Sequence, residues 1–355
     1  MSTKIPGSSF YDMRFDGIQT LRGIAAVLVV LEHVRFFGRG AFGVDIFFCI
    51  SGFMIMLTTQ KSTEFFFRKR LLRIVPFYYL MTIGTYFMLL LFPGLFEQTQ
   101  ATPVNLVKSL LFIPFDMGGG VIQPLLRIGW TVNCEMFFYL LFGISLHISR
   151  RYRGLICAGM LCALTAAGSL FPSGWAPFKF YSNPVMLEFA LGILLFYAAR
   201  GLYGLCCAQK LPSWLWVPCL LISLCLFACL IWSKPWINIL GIRRLFYWGL
   251  PCGFIVLAFF LAGLQTHMPA LCVMLGNISF SIYLVHYYPI LFIDRKICSF
   301  TSLNAVSAAG AAASLVLVLL LSRAAWYVIE KRFTGWLGRK IIHTAPAQSP
   351  HSLVR

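Results

Sequence analysis

Charged side chains are scarce in this 355-residue chain: 11% of residues are Asp, Glu, Lys or Arg, against 59% hydrophobic. A soluble globular domain carries about 25% charged residues, so a soluble fold is excluded for most of the length. No polar stretch is large enough to form a separate soluble domain. A cleavable leader is also missing. Residues 1–16 are polar and lead into an apolar run with no small-residue cleavage site behind it, so that run is expected to be a retained helix. Paired metal-ligand spacings are absent too: there is no CxxC…CxxC and no CxxC…HxxxH. Seven of the 12 cysteines (Cys49, Cys157, Cys162, Cys219, Cys225, Cys229 and Cys252) lie inside apolar runs. Cysteine acts there as a small buried hydrophobe, so neither a disulfide scaffold nor a structural zinc is expected. The phosphate loops GxxxxGKS/T and GxGxxG do not occur, which leaves nucleotide hydrolysis and Rossmann dinucleotide binding unsupported.

What the chain has in abundance is long apolar segments, repeated from near residue 18 to near residue 328. A membrane-spanning helix needs about 20 apolar residues. Breaks at Pro, Gly and charge give ten candidates: 18–37, 42–60, 74–92, 131–148, 154–171, 183–200, 213–232, 246–264, 275–293 and 303–328. The expected fold is all-α, a polytopic transmembrane bundle of about ten helices. Residues 1–17 form an N-terminal tail, 18–333 the membrane domain, and 334–355 a C-terminal tail expected to be disordered. The long connection 93–130 and the break at Lys234-Pro235 are the soft points of this division. The net charge of +18 marks topology in such a protein before it marks a nucleic acid, and no nucleic-acid partner is expected. With the N-terminus cytoplasmic, nineteen of the 29 Lys and Arg residues fall inside and ten outside, the bias expected for two cytoplasmic termini. Arg243-Arg244 runs against it.

Ionisable residues inside apolar helices are the informative ones. Each costs about 2.5–3.5 kcal/mol at a helix centre on insertion scales, and such residues face the bundle interior or a watery cavity. Glu32, His33, Asp45, Glu135, Glu188 and His286 all fall within candidate spans. Arg22 and His33 are eleven residues apart, three turns plus about 20°, so they share one helix face about 16 Å apart in depth. Asp45, Ser51, Trp130, Glu135, Glu188, Tyr283 and His286 come from four other helices at similar depth. Their expected meeting place is a polar cavity opening outward, containing a His that can act as base near neutral pH. Which carboxylate contacts His33 is left open, since Glu32 points about 100° away around the helix. At the cytoplasmic end, Arg70 and Arg73 share a helix face and, with Arg22, form a candidate anion site for phosphate oxygens.

These residues fall into motifs. Arg22 through His33 resembles the Arg-x10-His signature of the membrane acyltransferase-3 family. Phe42-Gly43-Val44-Asp45-Ile46-Phe47-Phe48 with Ser51-Gly52 is similar to its second-helix motif, and Arg70-x-x-Arg73 with Pro76 to its Arg-x-x-Arg element. Trp130-Thr131 with Glu135 and Phe138-Tyr139, then Ser279 through His286, then Glu330-Lys331-Arg332-Phe333, resemble three further family elements, in order and over nearly the whole chain. Arg332 stands where Pro is usual, Phe280 where Tyr is common, and Glu32 beside His33 departs from the pattern. No SGNH-hydrolase domain, such as some members carry, is expected from these residues.

The resemblance implies an integral membrane O-acyltransferase in the plasma membrane, a bacterial cytoplasmic membrane. It would move an acyl group, acetyl first, from cytoplasmic acyl-CoA to a hydroxyl of a cell-surface or secreted polysaccharide. Arg70 and Arg73 would hold the phosphates of acetyl-CoA or another acyl-CoA, with Arg22 assisting. His33 would be the base, with Asp45 and Glu135 at the catalytic site. Ser51, Trp130, Glu188, Tyr283 and His286 would contact substrate, and no metal is expected. Direct transfer is favoured, because Ser51 is the sole candidate nucleophile. The competing readings are a transporter or flippase of a lipid-linked sugar, whose buried charges would look alike, and a non-catalytic sensor or scaffold. The chain shows no internal repeat and no paired interrupted helices, which weighs against the transporter.

Overall fold

In lipid, every backbone polar group must be satisfied within the chain, so helices dominate. The computed structural model describes residues 10–11, 15–92, 101–208, 211–212, 214–233, 241–299 and 302–343. The expected disorder of 344–355 and the break at Lys234-Pro235 lie outside these residues. The helices are α1 (Asp16–Glu32), α2 (Gly43–Lys61), α3 (Phe66–Leu91), α4 (Pro103–Leu110), α5 (Trp130–Ile148), α6 (Arg153–Leu170), α7 (Ala176–Tyr181), α8 (Leu187–Cys207), α9 (Trp216–Ser233), α10 (Leu250–Gln265), α11 (Ala270–Asn277), α12 (Ser279–Val285), α13 (Tyr287–Lys296), α14 (Ala305–Ala325) and α15 (Thr334–His343). A hairpin of two-residue strands, Phe115–Asp116 and Ile122–Gln123, is the only sheet among the described residues. Seven helices are long and apolar enough to cross a membrane, or up to eight if the bent pair α11 and α12–α13 counts as one span. Helix α1 falls short of that standard because its seventeen residues include Asp16, Arg22 and Glu32.

Glycines set the central crossings. A Cβ on Gly52 of α2 would sit 2.2 Å from the Phe189 carbonyl oxygen of α8, and one on Gly192 of α8 would sit 2.2 Å from that of Cys49. Helix α1 meets α10 at Gly17 and Gly263, and α11 at Gly23 and Gly276, with similar closeness. Small residues let backbones approach, and membrane helices associate largely through such packing. Helices α1, α2, α8 and α10 thus form the centre, and the exposed leucines of α3 and α14 form part of the periphery.

Two breaks aim polar side chains inward. Helix α11 turns into α12 through a bend of 57° at Ile278, which brings Ser279, Tyr283 and His286 to the interior. At His286 the helix is interrupted again. Pro289 has no N–H to give the Val285 carbonyl, so one ladder bond is lost there. The connection between α3 and α5 also folds inward: the Tyr78 hydroxyl of α3 donates to the Ser109 carbonyl (3.0 Å), and the Phe112 ring stacks on Tyr78 at 4.9 Å. Tyr78 lies 13 residues, about 20 Å, from the far end of α3.

The structure differs from the expected disordered tail over residues 334–343, which form α15 packed on α3. Phe333 stacks on Trp336, and Lys340 lies 4.3 Å over the Trp336 ring. Thr334 and Gly338 share a hollow with Leu72 and Arg73 of α3, while the Phe333 and Trp336 rings stay exposed.

The helix crossing of α2 and α8 generates a test. Gly52→Val should cost about 1–3 kcal/mol through overpacking and lower the thermal midpoint of the detergent-purified protein. Gly84→Ala, at a position with nothing within 4 Å, should leave it unchanged.

Candidate active site

Side chains from five helices, arginines among them, converge on a pocket of about 770 Å³, open solvent included. Helix α1 contributes Arg22, α3 contributes Arg70 and Arg73, α2 contributes Ser51, and α5 contributes Glu135 and Tyr139; Ser279 and Tyr283 of α12 also line it. Glu135 accepts a hydrogen bond from the Ser51 hydroxyl at 3.2 Å and another from the Tyr139 hydroxyl. The Arg70 guanidinium donates to Thr58 and lies over the Tyr139 ring at 5.4 Å. Arg22 donates to Gln19 at 3.1 Å. Glu330, which accepts from Ser281, is within electrostatic reach of Arg22 and Arg73. Three guanidinium groups therefore face two carboxylates, a surplus of one positive charge suited to an anion.

Basic residues continue beyond the cavity. Lys69 and Arg73 line an adjoining hollow of about 570 Å³ with Glu330 and Thr334. Lys61, Lys69 and Arg70 line a second one of about 490 Å³. The arginine cavity thus opens among hollows rimmed by cations at one end of the bundle.

At its other end the cavity is closed by Tyr283. This hydroxyl donates to the Ile128 carbonyl at 2.8 Å and accepts from Thr131 at 2.7 Å, and the Phe47 ring lies 6.2 Å away. Behind Tyr283, whose ring is 5.8 Å from that of His286, lie the two histidines. Their rings meet edge to face at 4.7 Å, with His33 Nδ1 3.2 Å from His286 Nε2. Arg35, just past the end of α1, pairs with Asp294 in the last turn of α13 at 3.0 Å.

The expectation of a single chamber is corrected in two respects. Asp45 and Glu188 are wholly buried in a separate cluster around Arg244. Arg244 donates to both Asp45 oxygens at 2.9 and 2.7 Å, lies 3.6 Å from Glu188, and covers the Trp248 ring at 5.0 Å. The reason is desolvation: a carboxylate held away from water needs a cation with matched geometry, and the guanidinium fork supplies it. Asp45 is therefore engaged with Arg244, and Glu135 with Ser51 and Tyr139. The Trp130 ring packs on Phe48 at 6.0 Å, and its neighbour Thr131 lines the cavity.

Sequence reasoning missed Arg244, which was counted as a loop charge opposing the topology bias. Asking which cation offsets two buried acids would have found it. Glu32 now has a structural account. Its Oε2 accepts from the backbone N–H groups of Gly40 at 2.7 Å and Ala41 at 3.1 Å, which fastens the turn from α1 to α2. Among the described residues, no group of three His, Cys, Asp or Glu is placed to hold a metal ion.

A family model described as acyltransferase domain matches residues 15–323, and the chain belongs to that family, acyltransferase-3. It is 32% identical over 269 residues to the exopolysaccharide production protein ExoZ of Rhizobium meliloti (strain 1021), covering 72% of this chain and 78% of that protein. It is 26% identical over 345 residues to BcsY of Komagataeibacter xylinus, a putative membrane-bound transacylase, covering 89% and 81%. It is 27% identical over 203 residues to YrhL of Bacillus subtilis (strain 168), a putative peptidoglycan O-acetyltransferase, covering 49% of this chain and 31% of that protein. No solved structure matches.

Breaking the buried ion pair should be costly. Arg244→Gln alone should destabilise by about 3–5 kcal/mol, because it strands buried acids, and Asp45→Asn should cost less, because Glu188 at 3.6 Å still meets Arg244. The double variant should lose less than the two single losses added together. Chemical denaturation of the purified variants measures this coupling.

Proposed function

We propose that this chain is an acyl-CoA-dependent O-acetyltransferase of the plasma membrane that modifies sugar hydroxyls of a cell-surface or secreted polysaccharide. One observation carries the reading: Arg22, Arg70 and Arg73 meet in a single cavity whose closed end, Tyr283, touches the histidine pair. The surplus positive charge fits the phosphates of a CoA donor, and the adjoining basic hollows fit the rest of its head. The bias of Lys and Arg assigns this end to the cytoplasm, where acyl-CoA is made. The names of the relatives support the acceptor class, since they refer to exopolysaccharide production, transacylation and peptidoglycan O-acetylation.

In this scheme the donor's arm carries its thioester past Tyr283 toward His33, and the acceptor approaches from the opposite face. His33 takes the proton of the sugar hydroxyl as its oxygen bonds to the thioester carbon. The carbon–sulfur bond then breaks, and the departing thiolate takes the proton from the imidazolium. Arg70 and Arg73 act on donor affinity. Glu135 braces that wall through Ser51 and Tyr139 and takes no part in proton transfer from the acceptor.

Purified protein incubated with radiolabelled acetyl-CoA and candidate glycans should yield labelled glycan. His33→Ala should lower the rate by about 100- to 10,000-fold while leaving membrane insertion intact, and full transfer by this variant ends the assignment of the base. Arg70→Gln with Arg73→Gln should instead raise the donor KM, by about tenfold or more for each charged hydrogen bond lost. Unchanged donor affinity would place the CoA head elsewhere.

A further inference from the structure

His286 sits wholly buried where α12 gives way to α13, and its contacts fix where its proton must be. Its Nδ1 faces two backbone carbonyls, Tyr283 O at 2.6 Å and Ile282 O at 3.2 Å. A carbonyl oxygen can only accept, so Nδ1 carries hydrogen. In the neutral ring, Nε2 is then the acceptor, and it points at His33 Nδ1, 3.2 Å away. His33 Nδ1 lies 2.9 Å from another carbonyl, that of Val29 one turn earlier in α1. That nitrogen must also bear hydrogen.

Only one assignment satisfies all four contacts. His33 shares its Nδ1–H between the Val29 carbonyl and His286 Nε2, and neutral His33 holds its lone pair on Nε2. The alternative, with hydrogen on His286 Nε2 and a lone pair on His33 Nδ1, would set that lone pair against the oxygen of Val29. The partner of a catalytic histidine sets which nitrogen is the base. In acyl-transfer triads a buried carboxylate does this work.

We propose that His286 is the positioning residue for His33, a neutral substitute for that carboxylate, fixing the His33 proton on Nδ1 and presenting Nε2 to the acceptor hydroxyl. This rests on His33 being the base of the transfer described above. It reassigns His286 from substrate contact to a role behind the base, and it accounts for Asp45 and Glu135 being engaged elsewhere. In the reaction, Nε2 gains the hydroxyl proton and later gives it to the thiolate, while the Nδ1–H contact to His286 is kept throughout. A neutral acceptor orients the ring without adding a buried negative charge beside it.

The test combines a spectroscopic and a kinetic reading. Protein labelled with nitrogen-15 at histidine and reconstituted in lipid nanodiscs is studied by long-range proton–nitrogen correlation, with the His33 signals assigned by their loss in His33→Gln. Wild type should show His33 with hydrogen on Nδ1. His286→Leu should shift the ring toward the Nε2–H form and lower kcat by about 100-fold or more, with donor KM unchanged. His286→Gln, whose amide oxygen can still accept at the end of the side chain, should keep the Nδ1–H form and retain activity within about tenfold of wild type. Hydrogen on His33 Nε2 in the wild type overturns the proposal, as does a wild-type kcat in His286→Leu. Hydrogen retained on His33 Nδ1 in His286→Leu also overturns it, because the Val29 carbonyl alone then fixes the tautomer; where the leucine variant does not fold, His286→Phe is read in the same way. The two readings also fail separately. Absence of any transfer by wild type ends the acyltransferase assignment, whereas the wrong tautomer ends the role of His286 alone.

Discussion

A charge away from water has to be met by protein, and the polar interior of this bundle is arranged around that requirement. Asp45 and Glu188 could not stay buried on α2 and α8 without a cation, and Arg244 at the foot of α10 meets them. The pairing draws three chain segments together at one depth. It also frees the second polar region from structural duty. The surplus positive charge of the arginine cavity, with further basic residues beside it, is left for an anion to meet. Structural charge and functional charge are thereby kept apart: one cluster is closed and sets two acids on one guanidinium, the other is lined by more guanidinium groups than acids.

Backbone proximity turns that arrangement into fixed positions. Gly52 and Gly192 bring α2 against α8, which fixes Asp45 and Glu188 on adjacent helices, while Gly23 and Gly276 bring α1 against α11. Because α11 bends into α12 immediately afterwards, the closeness at Gly276 determines where Ser279, Tyr283 and His286 arrive relative to Arg22 and His33. The bend supplies depth, and Pro289 supplies the second interruption that leaves His286 at a helix junction.

Much of this was legible in the residues. Apolar run length marked the helices, and the eleven-residue spacing of Arg22 and His33 put both on the side of α1 that meets α12. The Arg70 and Arg73 spacing likewise anticipated a shared cavity. The partnerships across the bundle were not legible. Depth along a helix can be counted, but rotation about its axis against a neighbour depends on packing at sites such as Gly52. That is why Asp45 and Glu188, expected beside His33, face Arg244 instead. Glu32 shows the same limit at short range: its partners are backbone N–H groups eight and nine residues onward, in a turn that periodicity does not describe.

Tyr283 joins the two halves of the site. Its side chain closes the arginine cavity through Thr131 and the Ile128 carbonyl, and its own carbonyl receives the Nδ1 hydrogen of His286. One residue thus walls off the region suited to the donor and, through its backbone, orients the ring that contacts His33. Because both contacts come from one residue, the wall of the arginine cavity and the orientation of His286 are set together by α12.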